Sequence, residues 1–269
     1  MIKTWSHSRL VDFETCAHRA YLKYVKKVPE PERPLPPGKT EHANDRGTRV
    51  HEECEAFVRG LGPLPKEAEK FRDEFEALAT RFAEGKASLE GEWGFRKDWS
   101  MCGYYDKDVW LRVKCDAVVI LSPKRVLVID YKTGRKFGNE IKHGEQVILY
   151  ALAIICRMPE LEQVDVELWY LDQDDLTHDA KPAKKWMQQL KLYNVRGTKI
   201  TSAKEFKPNP SKYACQYCPY KDSECEFAYK ETEQRRKGQP WPSTVPGQSK
   251  VTTKAQTSSS STSRSRKSD

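Results

Sequence analysis

Residues 110–134, WLRVKCDAVVILSPKRVLVIDYKTG, decide the fold. Two apolar runs, Ala117–Leu121 and Val126–Ile129, flank the turn signal Ser122-Pro123. Runs this short, rich in β-branched residues and joined by a few polar ones, read as a tight β-hairpin. Asp116 opens the first run. Asp130 closes the second, with Lys132 two residues on. Antiparallel pairing about the turn brings both carboxylates to one end of the sheet, and Asp130 and Lys132 leave the same face of their strand. Two carboxylates converging beside a lysine are what a hydrolase needs to hold a divalent cation and polarise a water. A solvated hairpin end accounts for one aspartate, but less well for the whole D…D-x-K pattern set against buried strand.

Composition sets outer limits. The 269 residues suit one elaborated domain, or one domain with appendages. Hydrophobic residues at 38% leave enough material for a core beside 32% charged residues. No apolar run approaches a membrane span, and MIKTWSHSRL at the N-terminus lacks the apolar stretch of a secretory signal. The expected compartment is the cytosol, of a cell or of an infected host, with no membrane partner. Of the net charge of +8, residues 243–269 carry +4, so the remainder is only mildly basic and compatible with a nucleic-acid partner without establishing one.

The pattern divides the chain into zones. Residues 5–27 read as an amphipathic helix with apolar Leu10, Phe13, Tyr21 and Leu22, followed by a proline-rich link over 29–38. Helices are expected over 41–60 and 65–86, broken by Gly62-Pro63. Residues 92–173 supply a strand over 92–99, the hairpin, a long helix over 141–157 and a strand over 164–171. A helix near 182–194 leads to a cysteine-rich knot at 213–229. The ordered domain is expected to run over 1–238; beyond it a Ser/Thr/Lys-rich tail, 239–269, has almost nothing to bury and should be disordered. There is no internal repeat.

GTRVH at 47–51, KCDAV at 114–118, IDYKTG at 129–134 and QVILY at 146–150 follow one another in an order that resembles the RecB-like branch of the PD-(D/E)XK nuclease superfamily. Any one piece is weak; all of them in order are a strong signal. The resemblance runs from about Ser6 to Cys225. It implies an α/β fold, a restriction-endonuclease-like core in which a central mixed sheet is flanked by helices. It also implies roles. Asp116 and Asp130 would ligate Mg²⁺ or Mn²⁺, with the backbone carbonyl of Tyr131 completing the oxygen ligands. His51 would add an imidazole, which shifts preference towards Mn²⁺. Lys132 would orient or activate the attacking water, or stabilise the transition state. Gln146 and Tyr150, four apart on one helical face, match a helix that lines the active site. Glu92 falls at an acidic position of the preceding strand, and equally fits a solvated strand residue. His51 beside Val50, Cys54 and Phe57 would by itself read as a boundary histidine, and Gln146 and Tyr150 as ordinary helix surface.

Cys215-x-x-Cys218 followed by Cys225 puts three thiols in a short loop and calls for a fourth ligand from elsewhere. Cys16, in FETCAHRAY, resembles the single early cysteine of AddB-type and CRISPR-associated nucleases. Those relatives hold a [4Fe–4S] cluster on one early and three late cysteines, and here such a cluster would clasp the two chain ends. Zn²⁺ on the same four cysteines is the competing assignment. Cys54, Cys102, Cys115 and Cys156 fit buried small hydrophobes.

These readings converge on a metal-dependent DNA nuclease, an exonuclease rather than an endonuclease, acting in recombination, repair or replication. No GxxxxGK[ST] motif is present, so the expected substrate is single-stranded or has a free end, and any unwinding would come from a helicase or recombination partner. Trp93, Trp99, Trp110, Tyr104 and Tyr105 are candidates for base stacking, although most aromatics pack in cores. The rival reading is a non-catalytic DNA-binding subunit of a recombination complex on the same fold, against which the intact Asp116, Asp130, Lys132 set speaks. A zinc-binding structural protein would leave that set idle.

Overall fold

In the computed structural model, which describes residues 1–229, six strands form one sheet in the order β2-β1-β3-β4-β5-β6. They are β1 (Ala87–Phe95), β2 (Met101–Cys102), β3 (Leu111–Ser122), β4 (Arg125–Lys132), β5 (Gln163–Tyr170) and β6 (Asp175–Pro182). The hairpin β3–β4 pairs antiparallel, with Ala117 opposite Ile129 and Val118 opposite Val128, so the next pair outward sets Asp116 across from Asp130. The helix α5 (Glu140–Arg157) crosses back to make β5 parallel to β4. Only a crossover of this length permits that pairing. The sheet is therefore mixed and helix-flanked, as expected.

Two cores form, one on each face. The first contains Val118, Val126, Val128 and the buried face of α5, and the second Ala117, Val119, Ile129 and Tyr131. On the second face lie α3 (Ala43–Val58), a 3₁₀ turn (Lys66–Phe71) and α4 (Arg72–Ala83). The first is closed by α1 (His7–Thr15), α2 (Ala17–Ala20), a π-helical turn (Tyr21–Lys26), α6 (Ala183–Met187) and α7 (Leu190–Ser202).

Several expectations shift. The opening helix does not run over 5–27: it stops at Thr15, because Cys16 adopts an extended conformation (φ −158°, ψ 109°) while its N–H still bonds to the Asp12 carbonyl. The strand expected at 92–99 begins at Ala87. The helix near 182–194 is two, α6 and α7, and β6 was not anticipated. Its residues alternate half-buried and exposed, but the half-buried ones, Asp175, Thr177, Asp179 and Lys181, are all polar while Leu176 and Ala180 face outward, so no inward hydrophobic alternation marks it. Charged residues suit such an edge strand. Trp93, Trp99 and Trp110 are core residues rather than base-stacking ones. The boundary near 238 and the tail beyond it lie outside the described residues. Among the described residues no helix is long and apolar enough to cross a membrane.

Buried Gly197 on α7 shows how tightly the first core is filled. A Cβ there would stand 2.6 Å from ring atoms of both Trp5 and Trp110, themselves packed edge to face at 5.3 Å. Glycine-to-alanine in a helix interior normally stabilises by roughly 1 kcal/mol. Here the indoles have nowhere to move, and overpacking of this kind costs about 1–3 kcal/mol. Gly197→Ala should lower the thermal midpoint, measured by circular dichroism. A raised midpoint would show that the indoles yield.

Candidate active site

Asp130 is the centre of the site. It is 3% exposed at the C-terminal end of β4, where an unpaired carboxylate would be costly. Three side chains converge on it. Tyr150 donates its hydroxyl to Oδ1 at 2.9 Å, the Gln146 amide reaches the same oxygen at 3.5 Å, and the Lys132 ammonium forms an ion pair with Oδ2. These groups also bind one another, Gln146 Oε1 accepting from Lys132 at 2.8 Å while Gln146 Nε2 donates to the Tyr150 hydroxyl at 2.5 Å. The four-residue spacing on α5 thus serves a single carboxylate. Oδ2 is buried with the Lys132 ammonium against it, and a divalent cation using that oxygen would take the ammonium's place.

Asp116, on β3, is held differently. Its Oδ2 accepts the Tyr131 N–H at 2.6 Å, and its Oδ1 meets His51 Nδ1 at 2.9 Å. Burial and the neighbouring Asp130 charge push its carboxyl above the usual carboxylate range, with the His51 contact pulling the other way. His51 in turn rises: burial opposes its charge, but the Asp116 hydrogen bond and the charges of Asp116 and Asp130 outweigh that. A proton on Nδ1, donated to Asp116, leaves the Nε2 lone pair available to a cation. Tyr131 turns its ring away, against Phe75 and Trp169, and so offers the cleft its backbone.

Helix α3 passes close to the loop after β4 at Gly47, where a Cβ would meet Thr133 Oγ1 at 3.4 Å, an ordinary contact. One residue earlier, Arg46 donates to the Thr133 carbonyl at 3.0 Å and pairs with Asp172 at 2.7 Å, clamping the loop that follows β4.

The acidic residue on β1 is Glu90 rather than Glu92. Glu90 lines the same cleft as Asp116 and Asp130 and pairs with Lys114, whereas Glu92 is exposed beyond it. The cause is a slip in the sheet's alternation. Leu111, Val113 and Cys115 pack in the first core but Ala117 and Val119 in the second, so the facing of β3 reverses around Asp116. Directly across, Glu90 has φ +47°, a left-handed value rare outside glycine. Irregularities of this kind re-aim side chains beside active sites. Counting by twos along an unbroken strand could not have found it.

Ligand atoms of His51, Asp116 and Asp130 are not all within 4.8 Å of one another; the one group of three metal-capable side chains that close among the described residues is Cys102, Asp106 and Asp108. Asp106 already accepts the Gly103 N–H at 2.7 Å, and Asp108 is paired with Arg96. The four singled-out cysteines do meet. Cys16, Cys215, Cys218 and Cys225 line one cavity between the chain ends, closed by Tyr220 donating to the Val28 carbonyl at 3.0 Å and by Asn209 donating to Thr15 at 3.0 Å. Burial raises the Cys218 and Cys225 thiols, and the other thiols of the set add to it. Cys54 and Cys115 are fully buried as expected, but Cys102 and Cys156 only partly so.

Two histidines at the site's margin set a pH dependence. Burial, with Lys132 the largest charge acting on each, holds His7 down at about 3 and His143 at about 4. Both are therefore neutral at neutral pH. Folding stability from a histidine depressed below its unfolded value of 6.5 is complete above that pH, and drains as pH falls towards about 4 for His143. His143→Gln keeps a partner for the Tyr170 hydroxyl, now bonded to Nδ1 at 3.0 Å, but cannot titrate. The urea midpoint of the wild type should therefore fall more between pH 7 and pH 5 than that of the variant. Equal falls would remove His143 from the account.

Comparison with known proteins agrees with this geometry. No curated protein matches the chain. Among solved structures, that of SSO0001 aligns at TM-score 0.43 and 13% identity over 86% of this chain and 89% of its own. One from Eubacterium rectale, solved as "Putative exonuclease", aligns at 0.47 and 10% identity over 90% and 91%. The sequence profile of one family matches residues 4–225, spanning every site residue described above. The chain belongs to the PD-(D/E)XK nuclease superfamily.

Proposed function

We propose that this protein is a Mg²⁺- or Mn²⁺-dependent deoxyribonuclease of the RecB-like branch, degrading DNA from an end, with a structural [4Fe–4S] cluster. The observation that carries the reading is the pair of carboxylates at one end of the hairpin, Asp116 and Asp130, which line a single polar cleft with Lys132 beside them.

Asp116 and Asp130 would hold the cation, with His51 and the Tyr131 carbonyl as further ligands; a cation shared by these groups has to draw them together. Bound there, it supplies Lewis-acid charge to a phosphodiester oxygen and a water acidified for attack. Lys132 brings a positive charge to the developing phosphorane. Gln146 orients Lys132, and Tyr150 holds Asp130 in place. Glu90 adds a third carboxylate to the cleft, as sites with two cations need.

For the cysteines, the cluster rests on the resemblance and on the single cavity that Cys16, Cys215, Cys218 and Cys225 line, with Zn²⁺ on the same four as the competing assignment.

Asp130→Ala and Lys132→Ala should each lower cleavage of end-labelled DNA by about 10³-fold. EDTA should abolish cleavage and Mn²⁺ restore it. Glu90→Ala should impair it and Glu92→Ala should not. Full activity in Asp130→Ala sinks the assignment. A circular single strand cut as fast as a linear one makes the enzyme an endonuclease.

Anaerobically purified protein should be brown, with broad visible absorption from thiolate-to-iron charge transfer. Cys16→Ala and Cys218→Ala should lose colour and thermal stability, because the cluster closes a very long loop. Cys156→Ala should keep both. A colourless, folded protein with stoichiometric zinc replaces iron by zinc.

A further inference from the structure

Next to the catalytic cleft lies a second cavity of about 390 Å³. The two share Lys114, Lys142, Gln146 and Tyr150 as a common wall. One side of the second cavity is the N-terminus of α1, contributing Ser6, His7 and Ser8; the other includes Arg112 of β3.

That helix terminus is bare of acid. Ser6 caps α1 by accepting the Arg9 N–H, and no Asp or Glu stands in the first turn. By helix geometry the N–H groups of His7 and Ser8 have no partner in the helix, and with the macrodipole they favour an anion. A second observation points the same way. His7 is 8% exposed, and its Nε2 has no hydrogen-bond partner. A buried polar atom left unpaired on a cavity wall is unusual, and a neutral imidazole can donate from Nε2 to an anion.

Of the cations lining the cavity, Arg19 and Lys114 are paired, with Asp12 and Glu90, and Arg112 and Lys142 are uncommitted. Arg112 donates Nε to the Tyr104 carbonyl at 2.7 Å and lies 5.0 Å from the Tyr104 ring centroid, so it is fixed in place, yet no carboxylate pairs with it among the described residues. Lys142 likewise has no carboxylate partner among them. Burial and the nearby Lys132 and Arg19 charges hold it below the ordinary lysine value, with Asp12 pulling the other way.

We propose that this second cavity binds a phosphate of the polynucleotide strand whose neighbouring phosphodiester lies in the catalytic cleft, held by Arg112, Lys142 and the α1 N-terminus. The proposal deepens the nuclease reading and rests on its polynucleotide substrate. The phosphate has two possible sources, an internal diester or a terminal monophosphate, which share the same chemistry.

The test is equilibrium binding of an internally fluorescein-labelled oligothymidylate in EDTA, read as the salt dependence of the dissociation constant. Three forms are compared: linear with a 5′-phosphate, linear with a 5′-hydroxyl, and circular. Arg112→Gln and Lys142→Gln should each lower the log–log salt slope by about 0.7, the value for one lost single-strand phosphate contact. Lys124→Gln, on the turn at the opposite end of the hairpin, should keep the wild-type slope. Ser8→Glu places a carboxylate in the cavity where it favours the helix dipole. It should keep the thermal midpoint yet weaken binding by roughly tenfold or more, so a folding defect cannot mimic the result. Equal losses on the circle make the phosphate internal; losses confined to the 5′-phosphorylated strand make it terminal. Unchanged slopes in both glutamine variants, or wild-type binding by Ser8→Glu, overturn the proposal. A wild type that binds with these losses but never cleaves refutes the nuclease reading alone. One that cleaves while the variants bind unchanged refutes this site alone.

Discussion

Everything around the site answers one electrostatic demand: two carboxylates of like charge are buried across a strand pair. Asp116 and Asp130 arise at the same end of the hairpin because the register puts them opposite one another, and neither can be left unpaired there. The structure distributes the compensation over both faces of the sheet. His51 comes from α3 on one face, Gln146 and Tyr150 come from α5 on the other, and Lys132 and the Tyr131 N–H come from β4 itself. A divalent cation would relieve the same demand in a different way. The residues that support the apo site are then those that would have to yield to the metal.

That arrangement depends on where α5 sits. Tyr193 on α7 donates to the Glu145 carbonyl at 2.5 Å, immediately before Gln146, and Arg196 bridges Glu145 to Glu14 of α1. Arg196 is partly buried and bound to two carboxylates, so it resists exchange with water. The position of Gln146 is thus set by helices distant in sequence but packed as one layer.

How much of this was legible follows from the physics of each element. The hairpin and the D…D-x-K set could be read because period-two geometry and short apolar runs are local signals. His51 and Gln146-x-x-x-Tyr150 were placed by the family resemblance, since spacing alone reads them as boundary and surface residues, and their partners could not be placed at all: that Gln146 binds Lys132, Asp130 and Tyr150 together is a tertiary fact. Glu90 was hidden because the alternation slips at Asp116, and a reversal of facing has no marker in composition. Cys16 was read as lying inside a helix. Its extended backbone, which turns the thiol towards Asn209 at 3.4 Å and the late cysteines, depends on a segment nearly two hundred residues away. The tryptophans near the hairpin carry the same lesson in reverse, for aromatic residues beside a nucleic-acid site were needed first by the core.

The chain ends and the site share a residue. Arg19, paired with Asp12, lines both the cysteine cavity and the cavity beside the catalytic cleft. Asp12 also accepts from Tyr24 at 2.6 Å, so α1, α2 and the π-helical turn are joined through one buried carboxylate. Between α1 and α2 stands Cys16. A group bound by the four cysteines would therefore fix the start of α2, and through Arg19 and Asp12 the α1 segment whose N-terminus borders the second cavity. Releasing it would free the segment around Cys16 and the one over residues 215–225 together, and the first structure to loosen would be the wall beside the cleft rather than the buried strands. Stability and substrate binding would thus be coupled through the N-terminal segment, although no cysteine of the set lines either the catalytic cleft or the cavity beside it.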